Sequence, residues 1–325
     1  MNKIRSFVVK SNKNVLSLFM LALAVTITMG ILAPRTFLSA DNFQSMCIQL
    51  AEYGVLAFGM MLAIISGGFD LSLVGIANLS GILAVITMKA MGGSNAAIPV
   101  GILVAVMVGL ACGALNGFMI GYMKVPAMLV TLCGQQLFTG IGLIITKGPA
   151  VQGLPSGFSF IDNGIILGFI PMSLIVFTLV AVGIRFLLKS TVYGQHLLYM
   201  GTNETASRYS GIQNLKITIE TYMISGLLGS IGGILMASHY NSAKPDYGAT
   251  YILLIMLIAV LGGTNPDGGE GSVLGVTLAI ILLQLISSSF NIIGISSFTK
   301  TFIYGIILLA VMIGLGVSKS RRSVE

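Results

Sequence analysis

Residues 98–122 read IPVGILVAVMVGLACGALNGFMIGY, a run without one charged side chain. A helix rises 1.5 Å per residue, so roughly 20 apolar residues cross the ~30 Å hydrocarbon core of a bilayer. The run therefore predicts a transmembrane helix. Similar apolar stretches lie on both sides of it, near 15–33, 45–65, 71–88, 126–146, 165–187, 218–238, 250–262, 273–292 and 301–317. The fold class expected is an all-α polytopic membrane protein of about ten transmembrane helices. The eighth stretch is short and ends in a glycine loop, which predicts a broken or partly re-entrant helix. The first has the basic lead Lys3, Arg5, Lys10 and Lys13. It resembles a signal peptide, but nine further spans follow and no clean A-x-A cleavage site is visible, so it reads as a retained first helix.

Composition excludes the other classes. The chain has 325 residues, 55% hydrophobic and only 8% charged, where soluble domains carry about 25% charged residues. Its 17 basic and 10 acidic side chains could not cover a soluble globule of this size. Disorder needs low hydrophobicity and high charge, and the 41 glycines lack the three-residue period of collagen. The net charge of +7 comes with no basic stripe interleaved with aromatics, so nucleic acid is not an expected partner. Membrane topology explains the excess better. With the N-terminus in the cytoplasm and ten alternating spans, twelve of the 17 Lys and Arg fall inside, as the positive-inside rule requires. Both termini are then cytoplasmic; an odd number of spans would place Lys319, Arg321 and Arg322 outside. Cys47, Cys112 and Cys133 sit in apolar runs and read as small buried hydrophobes.

The chain reads as one membrane domain, 1–325, with two long loops. The outer one, near 147–164, is rich in Gly and Pro and carries only Lys147 and Asp162 as charges. The inner one, near 188–217, holds most of the polar chemistry. The stretch Ile64-Ile65-Ser66-Gly67-Gly68-Phe69-Asp70 resembles Ala259-Val260-Leu261-Gly262-Gly263-Thr264-Asn265. Each ends one span and opens another, a hint of an internal repeat of the kind that places transporter sites where repeats meet; chance explains two glycine pairs about as well.

No catalytic constellation is present. His196 and His239 fall on predicted opposite faces of the membrane and cannot jointly hold a metal, and no H-E-x-x-H, G-x-S-x-G or C-x-x-C occurs. The glycine-rich run 262–272 carries two acids and no G-K-[ST], so it is not a P-loop. No metal and no cofactor is expected on this chain; if ATP drives it, another chain binds the nucleotide.

The inner loop is the most informative segment. In Gly201-Thr202-Asn203-Glu204-Thr205-Ala206-Ser207-Arg208-Tyr209-Ser210-Gly211, Asn203 suits an N-cap and Gly211 a C′ position. About two helical turns lie between them, with Glu204 in the positive first turn and Arg208 placed to pair with it. Such a short helix is marginal alone and must dock on something: either it is an ordinary capped loop helix, or it is a knob for a cytoplasmic partner.

This segment resembles the cytoplasmic coupling loop of bacterial ABC importer permeases of the ribose and simple-sugar type, G-G-N-x-E-A-A-R-x-S-G-I. Asn203, Ala206, Arg208, Ser210, Gly211 and Ile212 match; Thr202, Thr205 and Ser207 depart, and Thr205 stands at the glutamate position with Glu204 one earlier. Three further stretches are similar to the same family. Ser66 to Ser72 resembles G-G-I-D-L-S, Val125 to Leu132 resembles V-P-x-F-I-V-T-L, and Gly262-Gly263-Thr264 with Gly269 to Gly275 resembles G-G-T…G-G-x-G-S-V-x-G. The resemblance implies a permease in the bacterial cytoplasmic (inner) membrane. It implies, as partners, two ATP-binding subunits that carry ATP and Mg, a second permease subunit, identical or paralogous, and an external substrate-binding protein. It also implies that the segment with Asn203, Glu204, Ala206, Ser207, Arg208 and Gly211 couples to the ATPase.

Ionisable groups at membrane depth are costly and default to functional candidates. Asp70 either caps the third span or sits near a gate; Glu52, early in the second span, either lines the pathway or reaches the interface. Glu220 and Arg185 lie near the inner boundary, where they snorkel or pair. Neutral Asn78, Asn116, Gln135 and Gln136 suit a sugar's hydroxyls, though each could equally bond between helices. Tyr240 and Tyr247 border an outer loop and read as interface anchors. Two rival functions remain open. An ion-coupled secondary transporter usually carries titrating chains in mid-helix, which most spans here lack. An intramembrane enzyme lacks its nucleophile, metal or paired acids.

Overall fold

The computed structural model describes the backbone of residues 2–166, 168 and 170–322, and side chains over 15–166, 168, 170–296 and 298–313. The side chains of Lys3, Arg5, Lys10 and Lys13, and of Lys319, Arg321 and Arg322, lie outside the described residues. Among the described residues there are fourteen α-helices: α1 (Asn2–Leu32), α2 (Pro34–Phe37), α3 (Ala40–Ile65), α4 (Leu73–Ala90), α5 (Ile98–Gly121), α6 (Ala127–Thr146) and α7 (Phe160–Asn163), then α8 (Met172–Ser190), α9 (Val192–Thr202), α10 (Glu204–Tyr209), α11 (Asn214–His239), α12 (Tyr251–Leu261), α13 (Val273–Ile293) and α14 (Ser297–Arg322). Between α7 and α8, β1 (Ile165–Ile166) pairs antiparallel with β2 (Ile170–Pro171).

Eight helices among the described residues are long and apolar enough to cross a membrane, and two shorter apolar helices, Tyr251–Leu261 and Phe298–Ile313, fall at the eighth and tenth expected positions. The chain is thus an integral membrane protein. Three sequence readings need correction. The sixth span begins at Met172, not near 165, because Gly164, Gly168 and Pro171 break the apolar run into a hairpin. The inner loop contains a helix, α9, ahead of the expected one. Cys133 is exposed on α6, unlike buried Cys47 and Cys112.

The centre of the bundle is α3. Every residue from Leu50 to Ile65 is buried, as expected for a helix apolar on all faces. Around it stand α4, α8, α11, α12 and α13. The tightest seam joins α11 to α5 and α4 through small residues. A Cβ built on Gly109 or Gly113 of α5 would overlap the carbonyl of Gly226 or Tyr222 on α11, and one on Gly233 would overlap the carbonyl of Ala77 on α4. Lipid offers no hydrophobic drive for such packing, so close backbone contact supplies the van der Waals attraction that holds these helices together.

This seam makes a direct prediction. Gly113→Ala forces α5 away from α11 and should cost about 1–3 kcal/mol, the usual overpacking penalty, lowering the thermal midpoint in detergent by several degrees. Gly140→Ala on α6, where nothing lies within 4 Å of the added methyl, should leave that midpoint unchanged or slightly raised. Equal responses of the two variants would contradict the seam.

Candidate functional site

The segment after α8 is built as a rigid unit. Thr191 opens α9, its hydroxyl accepting from the Gly194 amide at 3.1 Å, and Leu197 and Met200 bury the helix against the core. Tyr193 shares a 2.7 Å hydrogen bond with Thr221 of α11. The Asn203 carboxamide oxygen then accepts from the Ala206 amide at 2.9 Å, the N-cap bond that starts α10. The helix ends in a complete Schellman motif: Ile212 N–H donates to the Ser207 carbonyl, Gly211 N–H to Arg208, and Gly211 has φ +83°. Ser207 is the one buried residue of α10. Its hydroxyl donates to Asn214 Oδ1 at 2.9 Å, and Asn214 Nδ2 donates to the Glu204 carbonyl at 2.8 Å, pinning α10 to the start of α11.

Glu204, Thr205, Ala206, Arg208 and Tyr209 are left facing outward. Glu204 pairs with Lys124 of the α5–α6 loop at 2.8 Å and not with Arg208; Lys124 stands across a cleft of about 630 Å³ whose rim also carries Arg208, Lys216 and Glu220. The expected pair is replaced because a nearer cation arrives from another loop. Lys216 pairs with Glu220 at 3.8 Å along α11.

Directly behind α10 lies a glycine junction. The helix ends at Ile65 and Leu261 have the same hydrogen bonds. Gly68 N–H donates to Ala63 and Gly67 N–H to Ile64; Thr264 N–H donates to Ala259 and Gly263 N–H to Val260. Gly67 and Gly263 take φ +91° and +87°, a conformation that favours glycine. The loop that follows the second turn touches the first, since Gly269 N–H donates to the Ile65 carbonyl at 2.9 Å. Gly201, at the end of α9, completes the contact. A Cβ there would overlap the Ile65 carbonyl and stand 2.5 Å from Gly269 N. The ends of α3 and α9 and the loop between α12 and α13 therefore meet backbone to backbone.

Above the junction a polar network surrounds Asp70, which is fully buried. Its Oδ1 accepts from the Ser72 amide at 3.1 Å and hydroxyl at 2.6 Å, its Oδ2 from Ser225 at 2.6 Å. Asn116 Nδ2 donates to the Ser72 hydroxyl at 2.8 Å. Gln135 Oε1 accepts from Gly75 N–H at 2.7 Å, satisfying one of the unpaired first-turn donors of α4. Asn78 donates to the carbonyls of Pro245 and Tyr247 at 2.8 and 2.9 Å. Gln136 stands apart, exposed beside Leu132 and Leu137 on the outward face of α6.

Glu52 belongs to a second cluster, near the opposite end of the bundle. Buried in α3, it accepts from the Tyr251 hydroxyl at 2.8 Å and lies 3.7 Å from His239 Nδ1. The same nitrogen is 3.2 Å from Asp162 Oδ2 in α7. Burial pushes the Asp162 carboxyl above the usual carboxylate range, with the His239 hydrogen bond opposing it. Tyr240 and Tyr247 pack nearby with tilted rings, centres 4.6 Å apart, and Tyr247 also hydrogen-bonds Ser242. Nothing local in the sequence joins Asp162 to His239, which stand 77 residues apart. Asn214 and Lys124 were missed too, although Tyr193, Leu197 and Met200 already spell a helical stripe that would have revealed α9.

Residues 42–312 match the family described as branched-chain amino acid transport system / permease component. Among individual proteins, the chain is 32% identical over 296 residues to the ribose import permease protein RbsC of Bacillus subtilis, covering 90% of this chain and 89% of that one. It is 28% identical to RbsC of Haemophilus influenzae, over 92% and 93% of the two chains. It is 30% identical to the autoinducer 2 import system permease protein LsrD of Yersinia pestis, over 82% and 81%. No solved structure is significantly similar to the chain.

The junction and the ion pair predict different sensitivities. Gly201→Ala should lower the thermal midpoint by several degrees, since two backbones must separate. Lys124→Ala should move it by about a degree or less, as exposed ion pairs contribute roughly 0–1 kcal/mol. A larger loss from Lys124→Ala than from Gly201→Ala would reverse this ranking.

Proposed function

Because the chain belongs to the branched-chain amino acid transport system / permease component family, we propose that it is the transmembrane permease subunit of an ATP-driven importer for a sugar or sugar-like solute. A substrate-binding protein outside the membrane delivers the solute, and two ATP-binding subunits, which carry ATP and Mg, sit on the cytoplasmic side. Ribose and autoinducer 2 in the names of its relatives support that solute class. The chain spans the bacterial cytoplasmic membrane ten times with both termini inside, the two short apolar helices included. A second permease subunit completes the pathway. Gln136 argues for that partner: an amide on the outward face of an apolar span is costly against lipid but useful against a neighbour or a polar solute. Asp70, Asn116 and Gln135 hold the helix ends that border this path, and Asn78 ties α4 to the outer loop after α11.

The single observation that carries the reading is α10, a capped helix with an exposed face and a backbone-locked root. Asn203 and Gly211 fix its ends, Ser207 its buried side, and Ala206 and Arg208 face outward with Glu204. Closure of the ATPase dimer pushes this unit. The push passes through Ser207 and Asn214 to α11, and through Gly201 to the end of α3 and the α12–α13 loop. ATP drives the switch only if it binds the inward- and outward-open forms with different affinity. Buried Glu52 and Asp162 with half-buried His239 would suit an ion-coupled carrier, and energisation separates the two readings.

Co-purification tests the proposal. The tagged chain, solubilised gently from its native host, should bring down an ATP-binding subunit in stoichiometric yield, and Arg208→Glu should lose that subunit while the chain stays folded. A chain that purifies alone and moves solute down an ion gradient would sink the reading.

A further inference from the structure

We infer that Glu52, Asp162 and His239 form a binding site for one divalent cation of the zinc type, near the end of the bundle opposite the glycine junction. Three helices that are distant in sequence bring one donor each. Glu52 comes from the middle of α3, Asp162 from the four-residue α7, and His239 from the last turn of α11. Their donor atoms all lie within 4.8 Å of one another.

The spacing suits an ion. Donors about 2.0–2.2 Å from a tetrahedral centre stand roughly 3.3–3.6 Å apart, and His239 Nδ1 lies 3.2 Å from Asp162 Oδ2 and 3.7 Å from Glu52 Oε1. An independent observation points the same way. Both carboxylates are fully buried, yet Glu52 Oε1 and Asp162 Oδ1 have no hydrogen-bond partner. Buried carboxylate oxygens left bare are expensive. No Lys or Arg among the described residues pairs with either acid, and Lys244 is held at 2.8 Å by Asp246. A divalent ion with two carboxylates and a neutral imidazole gives a site of zero net charge.

The surroundings hold the donors in place. Tyr251 donates to Glu52 Oε2 at 2.8 Å, leaving Oε1 free to bind. The Asp162 amide donates to the Ser238 hydroxyl at 3.1 Å, and that hydroxyl donates to the Phe158 carbonyl at 2.8 Å, so α7 is fastened to the end of α11. Outer-shell bonds of this kind fix ligand orientation. The imidazole and the small donor count favour a zinc-like ion over calcium, which takes six to eight oxygens. His239 keeps 28% of its side chain exposed, which leaves an entry. Once bound, the ion would staple the segment after α6 to α3 and α11, stiffening the end of the bundle opposite the glycine junction.

The experiment uses the tag-free full chain in detergent, stripped with chelator, dialysed against zinc alone and assayed by elemental analysis. One zinc per chain is expected, reduced at least tenfold by Glu52→Gln, Asp162→Asn or His239→Asn and unchanged by His196→Asn. Zinc well below one per chain, or stoichiometric zinc that survives all three variants, overturns the site. If a variant fails to fold, cobalt(II) added to the wild-type chain decides: intense tetrahedral d–d bands displaced by zinc support the site, and their absence refutes it. Neither readout depends on ATP-binding subunits or transport, so failure here leaves the importer reading standing.

Discussion

The close approach of three backbones at Gly201, Ile65 and Gly269 is the constraint on which this end of the permease depends. A side chain at Gly201 would occupy the space of the Ile65 carbonyl, and the Gly269 amide donates to that same carbonyl. Contact at this range leaves no side chain to bend or slide, so the ends of α3 and α9 and the α12–α13 loop move together or not at all. Surface charge could not achieve this. The Lys124–Glu204 pair has both side chains more than 60% exposed, and pairs of that kind contribute roughly 0–1 kcal/mol.

From this junction the parts take on complementary roles. Helix α10 offers an exposed face, Ser207 and Asn214 fasten it to α11, and the small-residue seam carries α11 against α5 and α4. The central helix α3 then links the junction at Ile65 to Glu52, thirteen residues away and so about 20 Å up the helix axis. One buried helix thus joins the glycine junction to the cluster around Glu52.

Much of the fold was legible because its signals are local. Apolar runs of membrane length marked the eight long helices, and Asn203 and Gly211 marked α10 because capping is read within a few residues. The matching glycine turns at 67 and 263 were visible as a sequence likeness, and their shared hydrogen bonds follow from the αL requirement of glycine at C′. Readings failed where a distant residue decided the outcome. Glu204 turned from Arg208 to Lys124 because the α5–α6 loop ends beside it. The hairpin at 165–171 displaced the sixth span, since Gly164, Gly168 and Pro171 outweighed the apolar character of Ile165 and Ile166. The outer cluster was invisible from sequence because Glu52, Asp162 and His239 meet only after α7 folds onto α11.

The most direct measurement of the rigid junction is a pair of inter-spin distances in the assembled, lipid-embedded transporter, with and without trapped nucleotide. Labels at Tyr209 and Glu270 report across the junction; labels at Tyr209 and Gln152 report from α10 to the opposite end. Trapping nucleotide should change the second distance and leave the first unaltered. A Tyr209–Glu270 distance that shifts as much as the other would show that α10 moves independently of the glycine turns, and would contradict a junction that moves as one body.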